Sequence, residues 1–256
     1  MLGETLEALI FYGFVGLLIL LRFDAQRFGA AEYDDEDATG WRDWLRRLSY
    51  YGFALLLLVV IYAMHPLPLS VLRLQAGTDL GLTLAVGFAL AAIGVLLAVA
   101  YAWVRYRDVR LPPMRRYPAG LFTSVATALV DEAVFRGVLL GLLLINNFPT
   151  DLAVGFQAVL YVIATRLAGG RQSIGVVLIF LLVAVVGGGV TIATGGIGAA
   201  VLGHALTRFA LFVVTGHAGQ LRDVTTEQEA ALDAAELTPE GWEIVPDHDQ
   251  TGGYWR

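Results

Sequence analysis

Five ionisable side chains stand inside two apolar stretches that carry no other charge. They are Asp131, Glu132 and Arg136 in the run 120–145, and His204 and Arg208 in the run 197–215. A charged group at the centre of a membrane-length helix costs roughly 2.5–3.5 kcal/mol on insertion scales. A chain keeps such groups where they pair with one another, face water or take part in chemistry.

These side chains are of the types needed to activate a water molecule. A carboxylate beside an imidazole, both shielded from bulk water, can act by general-base or metal catalysis. The composition excludes several other chemistries, because the chain has no cysteine and its 17 basic residues are all arginine. A thiolate nucleophile, a thiolate metal site and a lysine Schiff base are therefore ruled out.

The spacing predicts which of these side chains meet on a helix. Glu132 and Arg136 are four residues apart and share a face, in the order that favours an ion pair. Asp131 projects about 100° away from Glu132, so we expect it to be the freer carboxylate. His204 and Arg208 also share a helix face. A structural alternative stays open, in which the two carboxylates pair with the two arginines and only fix helix register.

Two small residues follow the charged motif on the same predicted helix. Gly137 and Gly141 are four residues apart, a spacing that lets a neighbouring helix approach closely within a membrane. We therefore expect the motif to lie against another helix rather than against lipid.

The composition indicates an integral membrane protein. Hydrophobic residues make up 57% of the 256 residues and the mean hydropathy is +0.67, while only 16% are charged. A typical soluble domain is about 25% charged. The net charge is −6, and residues 217–256 hold nine acidic residues and two arginines, which gives that tail −7. The acidity therefore belongs to a solvated tail and does not indicate a nucleic-acid partner.

Seven apolar runs predict an all-α, polytopic transmembrane bundle with a short acidic cytoplasmic tail. The runs are 6–21, 50–64, 80–104, 119–145, 151–164, 173–186 and 197–215. Most approach the roughly 20 residues that a helix needs to cross a membrane. The sixth run is expected to end at a glycine-rich break formed by Gly187–Gly189 and Gly195–Gly196. The segment Trp41–Leu48 is either a short interfacial helix or the basic flank of the second span.

Arginines in the connections between runs predict the orientation. The connections after the first, third and fifth runs hold five, five and two arginines, whereas those after the second, fourth and sixth hold one, none and none. By the positive-inside bias, the amino terminus lies outside and the tail is cytoplasmic, in the plasma (inner) membrane. The chain divides into three amino-terminal helices at 1–117, a core at 118–216 and the acidic tail at 217–256.

The charged motifs resemble those of a known family. Asp131-Glu132-x-x-x-Arg136-Gly137 resembles the Glu-Glu-x-x-x-Arg signature of the CAAX protease and bacteriocin-processing family of intramembrane endopeptidases. His204 followed by Arg208 is similar to that family's third signature, in which asparagine stands four residues after histidine. The second signature, an aromatic residue and then histidine, is matched by Tyr161 with Thr165 in place of the histidine.

The resemblance implies a peptide hydrolase that acts on a membrane-associated peptide or protein. In this reading Asp131 or Glu132 activates water, Arg136 holds the pair, and His204 binds metal or stabilises the oxyanion. Glu132 and His204 would then be ligands of a divalent metal such as zinc. The alternative is a family member without catalysis, a membrane scaffold or immunity-type protein in which the same residues form a structural ion network. A transporter or proton channel is a third hypothesis.

Overall fold

The computed structural model describes residues 2–30, 33–34, 40–64, 68–106, 111–112, 114–166, 174–215 and 217–218. These residues belong to one compact unit, Met1–Leu221, and fold into seven helices. The helices are α1 Leu2–Phe23, α2 Trp41–Met64, α3 Leu80–Tyr106, α4 from Tyr117 to Ile145, α5 Thr150–Arg166, α6 Ile174–Thr194 and α7 Gly198–Thr215. The predicted all-helical class is confirmed for this part of the chain, and the acidic tail beyond residue 218 lies outside the described residues.

The remaining regular elements are short. A 3₁₀ turn, Asp24–Phe28, extends α1, and a second, Met114–Arg116, precedes α4. Strand β1, Tyr33–Asp34, pairs antiparallel with strand β2, His217–Ala218. This pairing joins the connection after α1 to the end of α7.

Four of the helices are long and apolar enough to cross a membrane. They contain the segments Leu9–Phe28, Trp41–Met64, Leu80–Val104 and Gly198–Thr215. Helices α5 and α6 carry shorter apolar segments, Thr150–Thr165 and Phe180–Thr194. The chain is therefore a multi-pass membrane protein, and the count of seven spans stays a prediction.

Helix α2 begins well before its apolar run. It is continuous from Trp41 to Met64, so the segment Trp41–Leu48 is the basic flank of the span and not a separate interfacial helix. Arg47 in this flank is buried, and its Nε donates a hydrogen bond to the carbonyl oxygen of Gly29 at 2.6 Å. The flank thereby fixes the turn that follows α1.

The predicted break is confirmed at Gly195–Gly196, where α6 ends, and is wrong at Gly187–Gly189, because α6 continues through these glycines to Thr194. The physical reason is close packing. A Cβ placed on Gly188 would lie 2.6 Å from Gln157 Nε2 and 3.1 Å from Val154 Cγ1, both on α5. The helix instead ends at Gly195, whose φ of 78° is a left-handed conformation that glycine adopts without steric cost.

The connection between α2 and α3 docks against the start of α7. Ile197 N donates to the carbonyl oxygens of Arg73 and Gln75, each at 3.0 Å, and Gly198 N donates to Ala76 O at 2.9 Å. From the other side, Gln75 Nε2 donates to Gly195 O at 2.9 Å. Backbone groups that would lack water inside the membrane are satisfied in this way.

The same connection, and not a helix, occupies the small-residue face of α4. A Cβ on Gly137 would lie 2.6 Å from Leu74 Cδ2, and one on Gly141 would lie 2.7 Å from Val71 O. The expectation of a neighbouring helix at this face is therefore corrected. A loop approaches more closely there because its own backbone reaches the glycines.

Helix α7 is held against α3 by small residues on both helices. A Cβ on Gly203 would lie 2.6 Å from Leu90 Cβ, and one on Gly87 would lie 2.8 Å from Leu202 Cδ2. Close backbone approach of this kind is how helices associate where lipid removes the hydrophobic driving force. The contact sets the position of His204, which follows Gly203 directly.

A buried apolar cluster joins the other helices around α4. Its members come from α1, α2, the α2–α3 connection, α4, α5 and α6 and include Leu18, Leu21, Tyr50, Tyr51, Leu57, Phe135, Val138 and Tyr161. Tyr51 also bonds Thr127 of α4 through the two hydroxyl oxygens, which are 2.7 Å apart. The charged motif of α4 is therefore enclosed by protein.

We predict that Gly196→Ala destabilises the protein by about 1–3 kcal/mol, because the added Cβ would collide with the Gln75 backbone. The matched control is Gly189→Ala, which has nothing within 4 Å of the added Cβ. Alanine is favoured over glycine inside a helix by about 0.5–1 kcal/mol, so the control should be neutral or slightly stabilising. Thermal unfolding in detergent measures both, and equal midpoints would contradict the prediction.

Candidate active site

Helix α4 changes its geometry at the charged motif. It is α-helical over Tyr117–Glu132, π-helical over Ala133–Leu139 and α-helical again over Leu140–Ile145. A π segment widens the turn and occurs often at functional sites. Every residue of the π segment is buried, so the change re-aims side chains within the protein interior.

Glu132 is the central acceptor of the site. His204 Nδ1 lies 2.8 Å from its Oε1, and Arg136 Nη1 lies 3.4 Å from the same oxygen. The Glu132 side chain is 4% exposed and that of His204 is 19% exposed. The predicted meeting of Glu132 with Arg136 is confirmed, and His204 joins them from α7.

Asp131 pairs with Arg22 of α1, a residue far away in the sequence. Arg22 Nε lies 2.6 Å from Asp131 Oδ1, and Arg22 Nη2 donates to Oδ2 at 3.2 Å. Both side chains are buried, at 4% and 1% exposure. Asp131 is therefore the more fully paired carboxylate, and the expectation that it is the freer one is wrong.

Arg22 is one of the five arginines that the orientation prediction assigns to the connection after the first run. In the structure it lies within α1 and is buried. A signal for this was present in the sequence. Arg22 falls on the same helix face as Phe11, Val15 and Leu18, all of which are buried. Its positive charge was the one feature that suggested a position in the loop.

Arg136 is fixed by contacts beyond Glu132. Its guanidinium carbon lies 4.1 Å from the centre of the Tyr161 ring on α5. On α6, a Cβ added to Gly187 would lie 3.4 Å from Arg136 Nε, which is an ordinary van der Waals distance, so α6 packs directly beside the guanidinium. The cation–π contact and the close approach of α6 hold Arg136 beside Glu132.

The two other positions of the sequence motifs lie on α5 and α7. Thr165 Oγ1 donates to the carbonyl oxygen of Tyr161 at 2.7 Å, a bond within its own helix turn. This use of the hydroxyl does not replace an imidazole, because threonine is a poor general base. Arg208 is buried on α7, one turn beyond His204.

The arrangement of Glu132 and His204 can support general-base chemistry. An ionised carboxylate only accepts hydrogen bonds, so the contact with Glu132 places a proton on His204 Nδ1. The Nε2 atom then holds a lone pair that can accept a proton. His204 is also the most exposed of the paired side chains, whereas Glu132 Oε2 is buried and has no hydrogen-bond partner among the described residues.

The described side chains do not form a zinc site. Catalytic zinc takes three protein ligands, and no group of three suitable side chains occurs in the described ranges. Only Glu132 and His204 meet, and Arg136 presents a cation to the carboxylate oxygen that would bind the metal. The zinc expectation therefore stays a prediction that these donors do not support.

A groove in the described part of the chain lies away from the charged motif. It has a volume of about 530 Å³ between α5 and α6, and its lining includes Thr150, Val154 and Ile192 but none of the paired charged residues. An apolar groove without convergent polar groups is a weak candidate for a reaction centre. The charged cluster is therefore the candidate site.

Residues 113–210 match a family model described as "Rce1-like: Type II CAAX prenyl endopeptidase Rce1-like". The match confirms the resemblance read from the motifs, and it includes Asp131, Glu132, Arg136 and His204. It excludes α1 and therefore Arg22. Comparisons with curated proteins and with solved structures gave no match.

We predict that Tyr161→Leu destabilises the protein by about 2 kcal/mol, because a desolvated cation–π contact with Arg136 is lost. Tyr161→Phe is the control, since it keeps the ring beneath the guanidinium and the edge contact with Phe135. Thermal unfolding should rank the parent, then Tyr161→Phe, then Tyr161→Leu. If Tyr161→Phe is as unstable as Tyr161→Leu, the prediction is contradicted, because the cation–π contact with the ring would not be the source of the stability.

Proposed function

We propose that this protein is a membrane-embedded peptide hydrolase of the CAAX-endopeptidase type. The observation that carries the proposal is the 2.8 Å contact between His204 Nδ1 and Glu132 Oε1 inside the segment that matches that family. A carboxylate that orients an imidazole is the arrangement that prepares histidine for proton transfer.

In the proposed reaction, His204 Nε2 takes a proton from a water molecule as that water attacks the peptide carbonyl carbon. Glu132 stabilises the imidazolium that forms and keeps the ring in one orientation. The proton then passes from His204 to the nitrogen of the leaving amine as the C–N bond breaks. Arg136 holds Glu132 in place. General acid–base catalysis of this kind contributes about 10²–10⁴-fold in rate.

The position of the site supports a membrane-associated substrate. Its residues are carried by helices of a multi-pass membrane protein, so a substrate must approach through or along the bilayer. A membrane-associated peptide or protein fits this condition, and the lipid bilayer is the surrounding partner. Exclusion of bulk water strengthens each electrostatic contact within such a site.

A second candidate function is a membrane scaffold or immunity-type protein without catalysis. The ion pair between Arg22 and Asp131 favours it, because the carboxylate at the first signature position is already neutralised on both oxygens. The hydrogen bond from Thr165 to its own helix also favours this second function. In this case the charged cluster would fix helix packing and would need no substrate.

Reconstitution in liposomes with a panel of membrane-anchored peptides tests the hydrolase proposal. We expect the parent to cleave at least one peptide, and Glu132→Gln and His204→Ala to lower the rate by about 10²–10⁴-fold. Asp43→Asn is the matched control, since its contact with Arg46 is a surface ion pair at 3.8 Å that contributes little. Cleavage should also survive a metal chelator, because the described residues include no group of three side chains suited to bind a metal.

Identical product traces from the parent and both site variants would contradict the hydrolase and favour the scaffold. Loss of cleavage on chelation, restored by added zinc, would contradict the metal-free route while keeping the enzyme. Proton flux measured in the same liposomes tests the channel hypothesis.

We also predict that the amino terminus lies outside and the carboxyl-terminal tail lies in the cytoplasm. The chain has no cysteine, so single cysteines report accessibility without background. Ser70→Cys in the connection after α2 should react with a membrane-impermeant thiol reagent added to intact cells. Met114→Cys, whose position is 80% exposed, should react only after the membrane is opened. The reverse pattern would contradict the orientation.

A further inference from the structure

Arg22 lies outside the segment that matches the peptidase family, yet it contacts the charged motif directly. An ion-pair contact from Arg22 Nε to Asp131 Oδ1 and a hydrogen bond from Arg22 Nη2 to Oδ2 join residues that are 109 positions apart in the chain. We propose that Arg22 is a positioning residue, which acts through Asp131 to hold Glu132 against His204. The inference rests on the proposed hydrolase function and adds helix α1 to its machinery.

The geometry of the pair supports positioning. A guanidinium that meets both oxygens of a carboxylate fixes the carboxylate's orientation as well as its charge. Asp131 is the residue immediately before Glu132, and the π segment begins immediately after Glu132. Fixing Asp131 therefore fixes the rotation of α4 at the point where its geometry changes. That rotation decides whether Glu132 points at α7.

Helix α1 is itself rigidly placed, so it can serve as a reference. Leu18 and Leu21 lie in the apolar cluster shared with α2, α4 and α5. Just beyond the helix, Gly29 closes the 3₁₀ turn in a left-handed conformation, and Arg47 of α2 donates to its carbonyl oxygen. Arg22 is thus held by the packed helix that precedes it and by the fixed turn that follows it. Lysine at this position would keep the charge but lose the planar guanidinium that contacts both carboxylate oxygens.

The competing explanation is that the pair only compensates two buried charges. Removing one partner of a buried pair is strongly destabilising under either explanation, because the other charge is left unpaired. Stability alone therefore does not separate the two. The hydrogen bond between the His204 ring and Glu132 does separate the two explanations. A positioning role requires that this contact change when Arg22 is substituted.

The experiment uses full-length protein labelled with ¹⁵N-histidine in liposomes, with the His204 signals assigned by their absence in His204→Ala. The variants are Arg22→Gln, Arg22→Lys and the neutral pair Arg22→Gln/Asp131→Asn. Glu132→Gln gives the reference signal for a broken Nδ1 contact. Asp43→Asn is the control, because its contact with Arg46 is a surface ion pair at 3.8 Å outside this framework.

We expect Arg22→Gln to move the His204 Nδ1 signal toward that of Glu132→Gln. Its kcat should fall by about tenfold to a hundredfold, as expected for a misplaced catalytic group. KM should change by less than about twofold, because the loss is confined to the transition state. Arg22→Lys should recover part of kcat. The neutral pair should restore thermal stability without restoring the signal or kcat.

The inference is overturned if folded Arg22→Gln protein, or the neutral pair where Arg22→Gln does not fold, keeps the parent's Nδ1 signal and kcat. The pair would then be structural only, and the hydrolase proposal would stand. A parent that cleaves no peptide would instead remove the proposed function. The Nδ1 signal would still decide whether Arg22 controls the Glu132–His204 contact.

Discussion

The constraint on which the structure depends is the free energy of placing ionised groups where water does not reach. Asp131 and Glu132 are adjacent, buried and of like charge, so each needs a positive or hydrogen-bonding partner of its own. The fold supplies these partners from three elements. Arg22 comes from α1, Arg136 from the π segment of α4, and His204 from α7. The tertiary arrangement of the bundle is thus tied to the neutralisation of two carboxylates.

Small residues make that arrangement sterically possible, and in doing so they position the chemistry. Helix α6 packs beside the Arg136 guanidinium at Gly187, while Gly203 lets α7 approach α3 just before His204. The α2–α3 connection packs on Gly137 and Gly141 and bonds the start of α7. These contacts leave His204 partly exposed beside a buried carboxylate. An imidazole held in that way is suited to proton transfer, whereas Asp131 is committed to Arg22.

Local features of the site could be predicted from the sequence, and long-range ones could not. The Glu132–Arg136 pair follows from helical spacing, and the place of His204 follows from the family resemblance. The Arg22–Asp131 pair depends on how α1 packs, which no spacing rule reports. The sequence does not show whether a glycine ends a helix or allows a close contact. Gly195 ends α6, whereas Gly188 lies inside α6 and packs closely against α5. Periodicity located the helices but did not distinguish these two uses.

The central claim is that His204 acts as a base oriented by Glu132, and chemical rescue tests it most directly. Free imidazole added to liposomes that contain His204→Ala can occupy the space that the side chain leaves. The account predicts that imidazole restores part of the peptide cleavage rate in His204→Ala and restores none when Glu132→Gln is also present. Rescue that is equal with and without the Glu132 carboxylate, or no rescue at any imidazole concentration, would contradict the account.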